Sequence, residues 1–351
     1  MDSPHADAAH ARSHRRRVLI GTAKVALAIG IIAWMFAKLR DENAFERLIH
    51  EPKHWGYLSV AQILVLIAIS LNYTRWYLLV RALGLEFRLR DAFRLGSIGM
   101  LINQVLPAGS IGGDLFKAVF IAREQPGCRT EAVASILIDR VVGLYAMTLV
   151  ASAGYLLGSR TTMLSANVDA IGRFVVGVAI VGTIGILLLM TPLFTSEKVQ
   201  DAFGRMPLVG STARRLVAAA GAYRSERRYL FAGIILSCCT HTIFVTSFWC
   251  IARGLPVTAP SLANMFVIGP MSMAAGALPL TPGGLGVLEA ALDQLFIEVG
   301  AQAGDGFIVA LTFRVMTYVM AAVGAMYYLA ARKTVSEAMH EADELAEEDS
   351  A

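Results

Sequence analysis

Charged residues are scarce in this sequence. Asp, Glu, Lys and Arg make up 17% of the 351 residues, whereas 56% of the residues are hydrophobic and the mean hydropathy is +0.58. Soluble domains usually carry about 25% charged residues. The composition therefore excludes an ordinary soluble chain and predicts an all-α polytopic membrane protein.

Cysteines and several common catalytic motifs are also few or missing. The four cysteines, Cys128, Cys238, Cys239 and Cys250, lie in or beside apolar runs, and two of them are adjacent. They form neither a disulfide framework nor a CxxC zinc pattern. The sequence has no GxxxxGK[ST], HExxH or GxSxG motif. We therefore expect no enzymatic activity, no metal and no cofactor.

Six apolar runs have the roughly 20 residues that a bilayer crossing requires. The first of them, 18–37, follows a cluster of arginines but is too long for a signal peptide, so we expect a retained helix. The six predicted spans are 18–37, Trp55–Val80, Glu131–Leu157, Ile171–Pro192, Tyr229–Ile251 and Gly306–Ala331.

Two further apolar regions are interrupted by proline and glycine. Leu95–Ala122 contains a proline and three glycines near its middle, and Ser261–Glu298 contains three prolines together with three closely spaced glycines at 283–286. Each half is too short to cross comfortably, and broken backbone at membrane depth must be covered by protein or line a wet cavity. We predict two re-entrant helical hairpins. The interrupting residues are Pro107, Gly109, Gly112 and Gly113 in the first region, and Pro270, Pro279, Pro282, Gly283, Gly284 and Gly286 in the second.

The distribution of basic residues gives a topology. With the N-terminus inside and each hairpin returning to its side of entry, the segments predicted to be cytoplasmic hold 19 Lys and Arg, and the external segments hold 6. This asymmetry predicts an integral protein of the cytoplasmic (inner) membrane with both termini cytoplasmic. It also explains the net charge of +4 without nucleic acid, which is not an expected partner.

The two interrupted regions resemble each other at an offset of 172 residues. Leu106-Pro107-x4-Gly112-x4-Lys117-Ala118 matches Leu278-Pro279-x4-Gly284-x4-Glu289-Ala290 without a gap. Because Leu, Ala and Gly are abundant here, a chance match is the alternative. Each match lies between two predicted spans, in 55–157 and 229–331, and the predicted topology places these units in opposite orientations. Inverted-topology repeats of this kind are typical of transporters.

The predicted organisation has three parts. A basic cytoplasmic tail and an acidic cytoplasmic tail flank one membrane domain that contains the repeats, two peripheral helices and a basic cytoplasmic loop. The parts are 1–17, 18–331 and 332–351, with repeats 55–157 and 229–331, peripheral helices 18–37 and 171–192, and loop 193–228.

Charged residues inside predicted spans are candidates for substrate binding, because charge at membrane depth costs roughly 2.5–3.5 kcal/mol and needs a partner. Asp139 and Arg140 either neutralise each other or form part of an anion site, to which Arg314 would contribute. Arg75, near Asn72, is a weaker candidate because it could extend its charge toward the membrane surface. The lone histidine inside a span, His241, is expected to form an interhelical hydrogen bond.

Polar residues also cluster in the first interrupted region. Asn103, Gly112, Gly113, Asp114 and Lys117 either form a polar turn or surround a half-helix N-terminus that binds a phosphate or carboxylate.

The second region repeats this plan with the opposite charge. Gly283 and Gly284 precede Glu289 and Asp293, whose i,i+4 spacing places both carboxylates on one helix face. This pair either binds a cation or proton, or solvates a helix end.

Three motifs together resemble the lysylphosphatidylglycerol synthase transmembrane family, also called flippase-like or UPF0104 proteins. They are Asn103-x3-Pro107 before a glycine-rich turn and a basic helix, Asp139-Arg140 with Gly143, and Pro282-Gly283-Gly284-Leu285-Gly286-Val287-x-Glu289. The likeness covers roughly 18–331. The chain departs from the family pattern after Pro107, where Ala108, Gly109 and Ser110 replace an expected basic residue.

The resemblance implies translocation of a lipid or a lipid-linked headgroup between leaflets. Family members include the flippase part of aminoacyl-phosphatidylglycerol synthases and proteins linked to hopanoid or polyprenyl-glycan export. The expected substrate is accordingly a phospholipid, a hopanoid or a polyprenyl-linked lipid, which a separate enzyme would synthesise. A secondary transporter of small polar solutes and an integral membrane transferase acting on a lipid are the alternatives.

Overall fold

A computed structural model describes residues 44–105, 110–125, 127–158, 165–191, 223–278 and 280–330, together with 22–23, 26–34, 37, 217 and 221. Within these ranges all regular structure is helical and no strand is present. The predicted tails 1–17 and 332–351 and most of the predicted loop 193–228 lie outside the described residues.

Ten α-helices and one short 3₁₀ turn are numbered here in chain order over the described part of the chain. They are α1 (Ala44–His50), α2 (Trp55–Ala82), α3 (Leu89–Val105), α4 (Ser110–Glu124), α5 (Arg129–Gly158), α6 (Ala166–Leu189), α7 (Arg227–Gly254), α8 (Leu262–Ala277), the 3₁₀ turn (Pro282–Gly284), α9 (Val287–Glu298) and α10 (Asp305–Ala330).

Five of these helices, α2, α5, α6, α7 and α10, are long and apolar enough to cross a membrane. They correspond to five of the six predicted spans. The predicted and observed bounds differ most at the start of α6, which begins at Ala166 and not at Ile171. Ser165 caps this helix by accepting a hydrogen bond from the backbone N–H of Val168. The sixth predicted span, 18–37, lies partly outside the described residues, and those of its residues that are described are helical.

Each interrupted region forms a helix–turn–helix motif whose two arms pack together: α3 with α4, and α8 with α9. Glycines permit the close approach of the arms. A Cβ on Gly113 would lie 2.2 Å from the carbonyl oxygen of Gly99, and a Cβ on Gly284 would lie 2.2 Å from that of Gly276. The break of the second region at Pro282–Gly284 was therefore predicted correctly. In the first region, Gly112 and Gly113 were wrongly predicted to interrupt the helix, because both lie within α4, and the predicted interruptions at Pro107 and Gly109 lie outside the described residues. The return of each motif to its side of entry stays a prediction.

The prediction that Pro270 interrupts the second region was wrong, because α8 continues through this residue. Proline lacks the N–H that would bind the carbonyl four residues earlier. That carbonyl belongs to Phe266, and it lies against Gly154 of α5, where a Cβ would be 2.3 Å from the oxygen. Packing against α5 thus accommodates the proline within the helix.

The helices of residues 55–158 and 227–330 pack in a reciprocal pattern. The first helices of the two units, α2 and α7, form the most extensive contact, and the first arm of each motif packs on the last helix of the other unit: α3 on α10, and α8 on α5. At the first crossing, a Cβ on Gly324 would lie 2.1 Å from the carbonyl oxygen of Ser97. Two units related by an approximate two-fold axis would pack in this way.

The two helices predicted to be peripheral differ in their surroundings. Helix α6 exposes Phe174 (71%) and Val181 (70%), as expected for a helix that faces lipid. The helical segment 26–34 instead contacts the second motif, because a Cβ on Gly286 would lie 3.0 Å from the side chain of Ile31. Gly286 has a φ of +85°, which a residue with a side chain rarely adopts.

Candidate functional site

A cavity of about 430 Å³ lies between the two helix–turn–helix motifs and helices α2, α5, α7 and α10. A second space of about 200 Å³ adjoins it at the turns and shares several of its lining residues. Eight of the twelve predicted site residues line one or both spaces: Asn103, Asp114, Lys117, Asp139, Arg140, Gly283, Gly284 and Arg314.

The two motifs meet beside this cavity. A Cβ on Gly283 would lie 3.0 Å from Oε1 of Gln104 and 3.3 Å from the carbonyl oxygen of Asn103. Gly283 has a φ of +56°, so its backbone can turn here without a side chain filling the gap. The end of α3 therefore contacts the 3₁₀ turn directly.

Arg75 and Asp139 form the first ion pair of the cavity. The Arg75 Nε donates to Asp139 Oδ1 at 2.8 Å, and its Nη2 donates to Asp139 Oδ2 at 2.9 Å. The remaining terminal nitrogen, Nη1, donates to the hydroxyl of Ser237 at 2.6 Å. Helices α2, α5 and α7 are thus joined by one guanidinium group.

Asp114 carries the second ionic cluster, because one carboxylate serves two cations. Arg140 donates through Nε to Asp114 Oδ2, and Lys117 Nζ lies 3.2 Å from Asp114 Oδ1. The ammonium group of Lys117 also lies 5.1 Å from the centroid of the Trp76 ring, within cation–π distance.

Arg314 holds the second turn. Its Nε donates to Glu289, and its two terminal nitrogens donate to the carbonyl oxygens of Gly283 (3.0 Å) and Gly284 (3.2 Å). The other Glu289 oxygen accepts the backbone N–H of Gly286 at 2.8 Å. Glu289 and Arg314 are 1% and 6% exposed, so this network is buried.

The charges around the cavity do not balance. Four lining side chains are cationic (Arg75, Lys117, Arg140, Arg314) and two are carboxylates (Asp114, Asp139). Glu289 does not line the cavity, but it forms an ion pair with Arg314 and neutralises its charge. The described groups therefore leave an excess of one positive charge, which is located where two cations share Asp114.

Four predicted site residues do not line either space. Glu289 acts through Arg314, as described above, and Gly112 lies in the first turn of α4. The backbone N–H of Gly113 donates to Oδ1 of Asn103 at 2.8 Å, so this donor of the predicted half-helix anion site already has a partner.

The fourth, Asp293, is 3% exposed and ties α9 to the start of α10. Its Oδ1 accepts the backbone N–H groups of Gly304 at 2.7 Å and Phe307 at 3.3 Å. Among the described residues, no group of three His, Cys, Asp or Glu side chains is placed to hold a metal ion.

Sequence reasoning undervalued the contribution of α2. Arg75, expected to extend toward the membrane surface, is 6% exposed and lies in the cavity wall with Asn72 and Trp76. The i, i+3, i+4 spacing of these residues was the signal that could have placed them on one helix face. His241 lies near Gly143, with 3.0 Å between its Nε2 and the Gly143 carbonyl oxygen, and this contact confirms the expected interhelical hydrogen bond.

The fold and this cavity define a helical integral membrane protein with a charged cavity among apolar helices. The family model described as "Lysylphosphatidylglycerol synthase TM region" matches residues 21–324. The chain belongs to this family.

Two relatives are UPF0104 membrane proteins. One, from Methanothermobacter thermautotrophicus, is 23% identical over 317 residues, which cover 83% of this chain and 86% of the relative. The other, from Methanocaldococcus jannaschii, is 25% identical over 91 residues, which cover 26% of each chain. This second match thus spans about a quarter of that relative's length.

Proposed function

We propose that this protein moves a lipid with a polar headgroup between membrane leaflets, as a flippase or scramblase. The observation that carries the proposal is the charged cavity enclosed by helices whose outer faces are apolar. A headgroup would pass through the cavity while its acyl chains stay in the bilayer. The membership in the lysylphosphatidylglycerol synthase TM family supports a lipid-related role.

The cost of the cavity charges supports a functional role for them. Each charge at membrane depth costs roughly 2.5–3.5 kcal/mol on insertion scales, and such residues mark substrate pathways by default. Apolar side chains of similar volume would stabilise the helical bundle at least as well as buried ion pairs. The presence of six charged side chains in one cavity wall therefore favours a polar substrate.

The proposed mechanism uses the two units as inverted-topology repeats that rock against each other around the cavity. The reciprocal packing of α3 on α10 and of α8 on α5 supports this hypothesis. Each re-entrant hairpin would then lie at the interface of the units. We place the protein in the cytoplasmic membrane with both termini cytoplasmic, as the distribution of basic residues indicates.

The proposal assigns no catalytic step to this chain. A separate enzyme would supply the lipid, and the cavity residues would bind and orient its headgroup. The acidic and basic groups described above are engaged in ion pairs and helix caps, which fits binding better than proton transfer.

Reconstitution tests the proposal. The purified protein is inserted into liposomes that contain a trace of fluorescent phospholipid, and an impermeant reductant bleaches only the outer leaflet. The wild-type protein should expose the inner pool, so that bleaching becomes nearly complete, whereas protein-free liposomes should retain about half of the fluorescence.

A matched pair of glycine variants provides the control. Gly143 faces the cavity, where a Cβ would lie 3.1 Å from Nη1 of Arg75, so Gly143→Leu should obstruct lipid passage. A Cβ on Gly177 of α6 would meet no neighbouring atom within 4 Å, so Gly177→Leu should behave as the wild type. Bleaching equal to that of protein-free liposomes, with uptake of labelled glycerol phosphate instead, would replace lipid translocation by solute transport.

A further inference from the structure

Among the described residues, the excess positive charge of the cavity lies in one cluster. The Arg75–Asp139 pair and the Arg314–Glu289 pair each join one cation to one carboxylate. In the cluster of Lys117, Asp114 and Arg140, by contrast, each oxygen of a single carboxylate faces a different cation. We call these three residues the phosphate site.

The phosphate site is also where the cavity presents a cation to an incoming group. The Arg140 side chain is 46% exposed, whereas those of Arg75 and Arg314 are each 7% exposed. Arg140 is therefore the most exposed of the three arginines in the described cavity wall. The Trp76 ring and Asp114 position Lys117 beside it.

We propose that the transported headgroup carries a single net negative charge on a phosphodiester, and that Lys117 and Arg140 bind this phosphate. The inference rests on the proposed function and names its substrate class. One negative charge compensates the one excess positive charge, and charge-assisted bonds from Arg and Lys to phosphate oxygens are among the stronger hydrogen bonds in proteins.

The same charges disfavour a cationic aminoacylated headgroup, such as the lysylated lipid in the family's name. Both carboxylates that line the cavity, Asp114 and Asp139, already bind cations. An added ammonium group would enter a site with net positive charge and would find no uncommitted carboxylate among the described lining residues. A cationic headgroup is thus disfavoured both by repulsion and by the lack of an uncommitted carboxylate among these residues.

Three lipids with identical acyl chains separate charge from size in the liposome assay. They are phosphatidylglycerol, lysyl-phosphatidylglycerol, and the doubly N-acetylated form of the latter, which keeps its bulk but has a net charge of −1. We expect the two anionic lipids to move at least about tenfold faster than the cationic lipid, the difference expected for one charge-assisted contact. Equal rates for all three, or a preference for the cationic lipid, would overturn the proposal.

Variants test the two cations. Lys117→Gln and Arg140→Gln should each slow phosphatidylglycerol movement about tenfold, and Arg140→Lys, which keeps the charge, should recover most of the rate. Arg173→Gln removes an equivalent charge from the exposed Arg173–Asp169 pair on α6 and should have no effect. Unchanged rates in both Gln variants would remove the phosphate site from substrate binding.

A binding measurement keeps the inference separate from translocation. Dihexanoyl-phosphatidylglycerol, which is soluble, is titrated into the detergent-purified protein by calorimetry, in parallel with glycerol phosphate and inorganic phosphate. Binding of the short-chain lipid that weakens about tenfold in Arg140→Gln supports the site even if no lipid moves in liposomes, in which case only the proposed function fails. Binding of the free phosphates without the lipid would overturn the lipid assignment.

Discussion

Asp139 binds Arg75 through both of its carboxylate oxygens, although the next residue in the sequence is also an arginine. Adjacent side chains on a helix point in directions about 100° apart, so Asp139 faces α2 while Arg140 faces Asp114 of α4. The sequence pair Asp139-Arg140 thus contributes to two separate ion pairs. One joins three helices, and the other forms the phosphate site.

We predict that breaking the Arg75–Asp139 pair destabilises the protein. Arg75→Gln or Asp139→Asn leaves one buried charge without its partner, at a cost of about 3–5 kcal/mol. The double variant Arg75→Met with Asp139→Leu removes both charges and should be clearly more stable than either single variant. Thermal unfolding in detergent measures the difference. Single variants as stable as the wild type would show that the pair adds little.

Five of the six predicted spans and the break of the second region could be predicted from the sequence, because length, hydropathy, proline and glycine determine them locally. Pro270 could not be placed, because its effect depends on whether a neighbouring helix accommodates the carbonyl of Phe266. The partners of Asp139, Arg140 and Glu289 likewise depend on which helices pack together. The sequence of a single helix does not specify which helices it will contact.

The reciprocal helix crossings give a second prediction. A side chain at Gly154 or Gly324 would collide with the backbone of the crossing helix, since a Cβ would lie 2.3 Å and 2.1 Å from carbonyl oxygens. Gly154→Leu and Gly324→Leu should each lower stability by at least about 1–3 kcal/mol, the usual cost of overpacking. Gly177→Leu, on the open face of α6, is the matched control. Equal thermal stability of all three variants would contradict the importance of these crossings.

The topology is tested by cysteine labelling in a variant that lacks the four native cysteines. Thr258 follows α7 and Arg90 lies in the first turn of α3, and both are exposed. The predicted topology places position 258 outside and position 90 inside. An impermeant maleimide should therefore label Thr258→Cys, but not Arg90→Cys, in intact cells. The opposite pattern, or labelling of both positions, would remove the inverted orientation of the repeats.

The carboxylates of α9 should stabilise the fold and not couple transport to an ion. Glu289→Gln leaves Arg314 without its partner, so we expect a loss of about 3–5 kcal/mol. Asp293→Asn keeps an acceptor for the N–H groups of Gly304 and Phe307, and should cost less, about 1–2 kcal/mol. Thermal unfolding gives both values. If Asp293→Asn instead leaves stability unchanged and abolishes a pH dependence of transport, this residue exchanges protons.

The membrane potential should set the final distribution of an anionic lipid, and the phosphate site should set only the rate of approach. When a single negative charge crosses the membrane outward under an inside-negative potential, its free energy falls by about 2.3 kcal/mol per 100 mV. At a potential of about 100 mV, a trace lipid should therefore favour the outer leaflet roughly 50-fold at equilibrium. A potassium gradient with valinomycin imposes this potential on liposomes that contain the wild type or Arg140→Gln. Both proteins should reach the same distribution, and the variant should reach it about tenfold more slowly. A protein that only catalyses movement cannot change the free-energy difference of the lipid between the two leaflets.

Doubly acetylated lysyl-phosphatidylglycerol should follow phosphatidylglycerol, since it carries the same net charge. A final distribution that differs between wild type and variant, or that ignores the potential, would show that movement is coupled to another ion, and the passive mechanism would then be wrong.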